Sequence, residues 1–314
     1  MSFSSELKTE LGKVYDSARH CRIAQLAAIV CFSGNIAEDE SRGRFLAVSS
    51  ENPAAVLCAA DLVKKLLDIS CEVDTVRSSR NLKSFSVNVD LEKYPEIMET
   101  LKFVKTGGGE ELPDISALTG KNCCKRAFLR GAFIAAGSIS DPDKFYHFEI
   151  QCRNRYISES TAGVMSALSL AAKIITRQKH FVIYLKEIEQ ISDALGLMGA
   201  RTSLLELENS RIMREMRGNI NRRVNCETAN INKAAQAAAR QIEDILYLEK
   251  HMSLSSLPNG LDEIAKIRLE YPEATLSELG AYLEPPIGKS GVNHRLRKLS
   301  SIAEVLRNRG GELL

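Results

Sequence analysis

FLRGAFIAAGSIS, residues 128–140, reads as an apolar helix with small residues on one stripe, Gly131 and Ala135 four apart, and it closes at Gly137. Small residues at that spacing let two helix backbones approach closely, and a glycine just past the last turn suits a left-handed C-cap. A fainter copy lies upstream: AQLAAIVCFSGNI, residues 24–36, with Ala27 and Ala28 on the helix and Gly34 at its end. Gly34 and Gly137 are 103 residues apart (137 − 34). Two such helices predict an internally repeated domain whose central pair pack on one another.

The text downstream of each helix repeats as well. After Gly34 a polar turn leads to a strand over 44–49, a helix over 53–67 with Pro53 in its first turn, strands over 71–76 and 84–90, and a helix over 92–104. After Gly137 the order recurs as a strand (146–153), a helix (157–172), two strands (173–177 and 180–186) and a helix (187–199). The same order twice predicts duplication. The fold class expected is α+β, a saddle of antiparallel strands beneath two central helices. Residues 6–20 read as an amphipathic leading helix. The glycine run TGGGEELP (106–113) has no Lys-Ser/Thr after it, so it reads as a linker or loop, not a phosphate loop.

Charge is uneven. The chain of 314 residues carries a net charge of only +2, yet residues 211–240 hold seven Arg/Lys against two acids, and 288–309 hold six against one. Basic clusters confined to the last third point to a polyanionic partner. Residues 211–233 mix arginines with asparagines and read as turn-rich; from Glu227 to about Lys250 the alanine-rich text predicts a long helix bridging to a C-terminal module. That module reads as a helix over 261–272, a second opened by a Thr275/Glu278 capping box, and a third opened by KSGVNHRLRKL with Ser290 as N-cap. Val292, Leu296 and Leu299 form the buried stripe of the third helix. Ser290, His294 and Arg297 fall opposite, Asn293 and Lys298 flank them, and Arg295 lies at the buried edge where it meets backbone.

Domain boundaries are set at 1–105, a linker over 106–120, 121–208, a basic connector and long helix over 209–255, and 256–314. The eight cysteines lie mostly in apolar segments without a CxxC pair, and Cys123 beside Cys124 is poor spacing for chelation. No metal or cofactor is expected. The sequence holds no apolar run long enough to span a membrane and no signal-peptide layout, so a cytoplasmic, nucleoid-associated location is expected.

CCKRAFLRGAFIAAGSISDP (123–142), VNCETANINK (224–233), RQIEDI (240–245) and KSGVNHRLRKL (289–299) together resemble the WhiA family of bacterial regulators. The two small-residue helices look like degenerate LAGLIDADG motifs of homing endonucleases. The resemblance implies a duplicated LAGLIDADG-type domain joined by a long helix to an all-α helix-turn-helix domain. It also implies a role in cell division, chromosome segregation and, in spore formers, sporulation. Some members of that family act with a WhiB-type regulator carrying an iron–sulfur cluster.

In an active LAGLIDADG nuclease an acid stands just before each motif glycine, and the two acids hold the metal that offsets charge developing on the attacked phosphate. The matching positions here are Ser33 and Ala136, neither of which supplies an anionic ligand. Loss of hydrolysis is therefore expected, with Gly34, Gly131 and Gly137 kept as structural glycines of the helix pair. Glu38, Asp39, Asp141 and Asp143 lie in the turns just beyond the helix ends, where acids are commonly solvated or cap the backbone. On the saddle, Arg77, Arg80, Lys83, Arg153, Arg155, Arg177 and Lys179 are candidate phosphate contacts, as are Arg211, Arg214, Arg217, Arg222 and Arg223 on the connector. Base reading is assigned to Lys289, Ser290, Asn293, His294, Arg297 and Lys298. The expected function is sequence-specific binding of double-stranded DNA by a transcriptional regulator. Its rivals are a residual metal-dependent endonuclease and a protein-interaction scaffold.

Overall fold

The structure, a computed structural model, describes residues 2–39, 43–77, 83–107, 109–178, 180–258 and 260–308. The chain divides into two compact units, Met1–Glu215 and Met216–Leu314. No helix among the described residues is long and apolar enough to cross a membrane.

The first unit opens with α1 (Phe3–Leu11), shorter than the sequence predicts because the chain turns at Gly12, and then α2 (Arg19–Ser33). Helix α2 runs straight into β1 (Gly34–Asp39), followed by β2 (Gly43–Ser50), α3 (Pro53–Leu67), β3 (Val73–Arg77), β4 (Lys83–Asp90) and α4 (Glu96–Thr100). The segment expected as a polar turn after Gly34 is thus a strand, paired residue for residue with β2. Helix α4 is far shorter than the predicted 92–104. Asp90 Oδ1 accepts the amides of Glu92 and Lys93, which starts the segment as a turn, and Phe103 leaves the helix for a hairpin.

That hairpin, β5 (Phe103–Lys105) with β6 (Glu111–Pro113), places the glycine run in its turn, and α5 (Ile115–Leu118) follows. Leu112 and Ile115 are buried in the common core, so 106–120 carries core residues as well as connecting the repeats. The second repeat is α6 (Asn122–Ala136), β7 (Gly137–Ile139), β8 (Phe148–Cys152), α7 (Arg155–Ser166), β9 (Lys173–Arg177), β10 (His180–Leu185) and α8 (Ile188–Met198). The two sheets have equivalent topology, β1-β2-β4-β3 and β7-β8-β10-β9, every pair antiparallel. One hydrophobic cluster runs through both repeats.

The helix pair α2/α6 sits at its centre. A Cβ on Gly131 would lie 2.3 Å from the Gln25 carbonyl oxygen and 2.9 Å from Ala28 Cβ, so only glycine permits this approach. Gly34 and Gly137 do not take the expected left-handed conformation; both are extended, at φ −92°, ψ 151° and φ −76°, ψ 155°. Each is glycine for want of room: helix passes into strand without a loop, and a Cβ would come 2.5 Å from the Val30 carbonyl or 2.2 Å from the Phe133 ring. The left-handed glycine cap occurs instead at Gly199 (φ 88°), ending α8.

From Arg201 to His251 the chain is one continuous helix, α9. The sequence reading of 211–233 as turn-rich is therefore corrected. Met216, Ile220 and Val224 recur at four-residue spacing, a helical signal obscured by the asparagines, and all three remain exposed. The second unit adds α10 (Leu261–Glu270), α11 (Leu276–Ala281) and α12 (Lys289–Asn308) to the end of α9. Ile245 and Leu248 of α9 join Leu261, Ile264, Leu279 and Leu296 in its own core.

Candidate nucleic-acid interface

Helix α12 is held by its apolar stripe. Val292, Leu296, Leu299, Ala303 and Leu306 are buried, the first three at the positions the sequence assigns. Three contacts fix its setting. A Cβ on Gly280 would fall 2.2 Å from the Ile287 carbonyl, so the turn into α12 presses directly on α11. Arg295 Nη1 donates to the Gly260 carbonyl at 3.3 Å, the backbone contact expected of it. Arg307 Nη1 meets Asp244 Oδ1 at 2.7 Å and lies over the Tyr247 ring, fastening α12 to α9.

The α10–α11 turn is equally determined. Thr275 and Glu278 form the expected capping box, and the Thr275 amide draws the Glu278 carboxyl below its ordinary range. Arg268 is buried and donates to the carbonyls of Ala274 at 2.7 Å and Pro272 at 3.4 Å; burial lowers its pKa. Its place in α10 is structural.

Ser290, His294 and Arg297, opposite the stripe, are exposed, as are Lys298 on the flank and Lys289 at the helix start, and Asn293 is half-buried. Ser290 differs from expectation in its role. The helix begins one residue before it, with Val292 N donating to the Gly288 carbonyl, so Ser290 lies in the first turn and is free to face a ligand. Among the described residues Lys289, Arg297 and Lys298 take part in no ion pair. The face is an array of unneutralised donors beginning at a helix N-terminus, the chemistry that phosphates and base edges meet.

The arginines of α9 are engaged differently. In the first unit Arg211 pairs with Glu189 at 2.7 Å and Arg214 lies over the Tyr146 ring. In the second, Arg223 pairs with Glu227 at 3.0 Å and Arg222 donates to Asn219 Oδ1, both on exposed helix surface.

Among the described residues of the saddle the candidate cations are mostly engaged. Arg153 donates to the Gly34 carbonyl at 2.7 Å and pairs with Glu110 at 2.9 Å. Arg177 pairs with Glu149 at 3.2 Å, and His147 meets the same carboxylate oxygen at 3.1 Å. Arg155 lies on α7, off the strands, paired with Glu159 at 2.6 Å. Lys83 reaches over Phe85. Arg80 and Lys179 lie outside the described residues, as does the side chain of Arg77. Register places Asp74, Ser84, Ser86 and Asn88 on the outward face of the first sheet, with no Lys or Arg among its described residues; the second presents Lys173, Arg177 and Glu149.

Ser33 and Ala136 end α2 and α6, each directly before its glycine. The Arg153 guanidinium bonded to Gly34 stands beside the first of these ends. Of the substitute acids, Asp141 accepts the amide of Asp143 and pairs with Lys144, while Glu38 and Asp39 lie on strand β1 and not in a turn, Glu38 opposite an Arg44 that pairs with Glu111.

Two features were not legible beforehand. Arg130 is buried in the helix pair, donating to the Met198 carbonyl at 2.7 Å, Asp16 Oδ2 at 3.0 Å, Gln25 Oε1 at 3.1 Å and the Val14 carbonyl at 3.3 Å. A lone charge inside the apolar FLRGAF was the available signal. Glu10 of α1 accepts the amides of Thr202 and Ser203 at 2.7 and 2.9 Å, capping α9 from outside it.

Comparisons with known proteins agree with this architecture. Residues 125–217 match the family model described as the WhiA LAGLIDADG-like domain, and residues 220–303 match the WhiA C-terminal HTH domain. The probable cell division protein WhiA of Lachnoclostridium phytofermentans is 43% identical over 98% of this chain and all of its own length. The crystal structure of full-length WhiA from Thermatoga maritima superposes with a TM-score of 0.59 at 25% identity, covering 97% of this chain and 98% of that one. The N-terminal LAGLIDADG domain of WhiA superposes at 0.50 and 23% identity over 63% of this chain and 90% of that one, a likeness of fold.

Proposed function

The chain belongs to the WhiA family, and from that premise we propose that it is a sequence-specific DNA-binding transcriptional regulator of cell division whose principal reader is α12. The observation that carries this reading is the partition of α12. Its apolar stripe is consumed in a core, and its exposed surface offers Lys289 at the start, Ser290, His294 and Arg297 opposite the stripe and Lys298 beside them, with no ion pair to Lys289, Arg297 or Lys298 among the described residues. A structural helix in a small bundle has no need of such a face, whereas a recognition helix requires polar readers near its N-terminus and cations beside them. The family resemblance extends the process to chromosome segregation and sporulation, with a WhiB-type regulator as a partner in some settings.

The LAGLIDADG-like unit acts in this proposal as a scaffold that no longer cuts. Phosphodiester hydrolysis by such a fold needs anionic metal ligands at the two helix ends. This chain has Ser33 and Ala136 there, with the Arg153 guanidinium beside one of them. The uneven sheet faces, acidic and neutral in one repeat and mixed in the other, also favour scaffolding over a continuous DNA-tracking surface.

The test is genome-wide crosslinking of the full-length protein and of a variant combining Lys289→Ala, Arg297→Ala and Lys298→Ala, all exposed substitutions. Specific sites should be lost from the variant. On isolated DNA, each substituted residue that contacts a phosphate should lower the slope of log affinity against log salt by about 0.9. Unchanged site occupancy would remove α12 as the reader. Nicking of supercoiled plasmid by the purified protein with magnesium or manganese would restore the nuclease reading.

A further inference from the structure

The sequence spreads its cysteines and histidines without ligand spacing, yet folding gathers four of them. His20, Cys21, Cys123 and Cys124 bring one imidazole nitrogen and three sulfurs to within 4.8 Å of one another. His20 Nδ1 lies 3.2 Å from Cys124 Sγ and 3.3 Å from Cys21 Sγ. Zinc bonds of about 2.3 Å to sulfur and about 2.0–2.1 Å to nitrogen require ligand atoms about 3.5–3.8 Å apart at tetrahedral angles, so this cluster needs only small adjustments around an ion.

The placement follows the duplication. His20 and Cys123 are 103 residues apart, as are Cys21 and Cys124, the same offset as Gly34 and Gly137. Each pair occupies the second and third positions of its helix, α2 or α6. Neither helix start has a side-chain cap, and neither carries an acid in its first turn. Two helix N-termini therefore converge on this cluster, where the positive ends of both helix dipoles favour anionic ligands. Cys31, Cys58 and Cys152 are buried singly, apart from any such cluster.

We propose that His20, Cys21, Cys123 and Cys124 form a four-coordinate structural site for a zinc ion, clasping the first turn of α2 to the first turn of α6. Three thiolates and an imidazole select a soft or borderline divalent ion over magnesium or calcium. No position is left open for water, the arrangement of a structural site. Binding exchanges protons for metal: the imidazole coordinates in its neutral form, and three thiols release one proton each to the solvent. The clasp lies at the end of α2 and α6 remote from Gly34 and Gly137, and it is independent of whether α12 reads DNA.

The experiment is metal analysis of the full-length protein purified without chelator in a non-thiol reductant. It should show one zinc per chain, and cobalt exchanged into it should give the intense visible bands of tetrahedral thiolate ligation. Cys123→Ser and His20→Ala, both at exposed positions, should each bring the zinc well below one per chain with the helical circular dichroism retained, while Cys226→Ser leaves it at one. Adding zinc to the metal-free protein in weak buffer should release three protons. Failure to bind zinc or cobalt on reconstitution, unchanged stoichiometry in both variants, or a disulfide among these cysteines in the intact mass of freshly purified protein would each overturn the site.

Discussion

Arg153 and Arg297 are both cations on elements that a DNA-binding reading nominates, and the two units use them in opposite ways. In the first unit Arg153 is tied to the Gly34 carbonyl and to Glu110, Arg177 to Glu149, and Arg155 to Glu159. In the second, Arg297, Lys298 and Lys289 are exposed on α12 and take part in no ion pair among the described residues. An ion pair already formed must be broken before its cation can serve a phosphate, whereas an unpaired cation gives up only hydration and counterions. The contrast teaches that local positive charge in the sequence is a poor guide to binding, and that the partner of each charge decides its use. Under the proposed function it also divides the labour: Arg153 ties the second repeat to the first at Gly34, and recognition falls to α12.

The sharpest way to break this division is to remove a cation whose role is entirely internal. Arg130→Leu strips the donors from the Val14 and Met198 carbonyls and from Gln25, and leaves Asp16 without its partner. Buried carbonyls and an amide left without their donor cost about 1–3 kcal/mol each, and urea unfolding of the first unit should register that loss. The α12 core shares none of these contacts, so its unfolding should stay where it was. A loss below about 1 kcal/mol would mean that Arg130 is a passenger in the helix pair.

The next comparison sets the two nominated arginines directly against each other. Arg297→Ala should weaken binding to a selected site by about 1–3 kcal/mol and relax preference at one base pair. Arg153→Ala should leave affinity and preference unchanged while lowering the melting temperature of the first unit, because the Gly34 carbonyl loses its donor and Glu110 keeps only the Asn154 amide. Anisotropy titrations on matched and single-mismatch duplexes, with melting curves on the same samples, separate the outcomes. Equal affinity losses for the two variants would return the saddle to the DNA interface.

Much of this was written locally. The spacing of Gly131 and Ala135, the alternating strands of both repeats, the Thr275/Glu278 capping box and the stripe Val292, Leu296, Leu299 are periodic signals set by neighbours along the chain, and the structure keeps all of them. What could not be read depends on residues that meet only after folding. Glu110 lies 43 residues before the arginine it neutralises (153 − 110), and Glu10 caps a helix that begins at Arg201. The extended conformation of Gly34 and Gly137 arises from crowding by Val30 and Phe133, where the sequence shows only that a glycine follows a helix. The continuity of α9 was hidden for a related reason: its regular apolar residues face outward, so no amphipathic contrast marks the helix between Arg211 and Lys233.

The smallest effect probes the other class of internal contact, a carboxylate holding a helix N-terminus. Burial alone would raise the Glu10 pKa, but hydrogen bonds from the Ser203 hydroxyl and amide and from Thr202 outweigh it and hold the carboxyl below its ordinary value of 4.5. A carboxyl depressed on folding is protonated more readily in the unfolded chain. Its contribution is therefore complete above the ordinary value and drains away as pH falls through the depressed folded one. Glu10→Gln keeps the shape and removes the charge facing the start of α9, which should cost about 0.5–1 kcal/mol at neutral pH. Wild type and variant should then converge as the solution is acidified, because protonated Glu10 is as neutral as glutamine. Paired denaturant melts at neutral pH and below the folded carboxyl range measure that convergence. A gap between the two that persists undiminished in acid would mean that the charge on Glu10 does nothing for α9, and that the first unit holds this helix by packing alone.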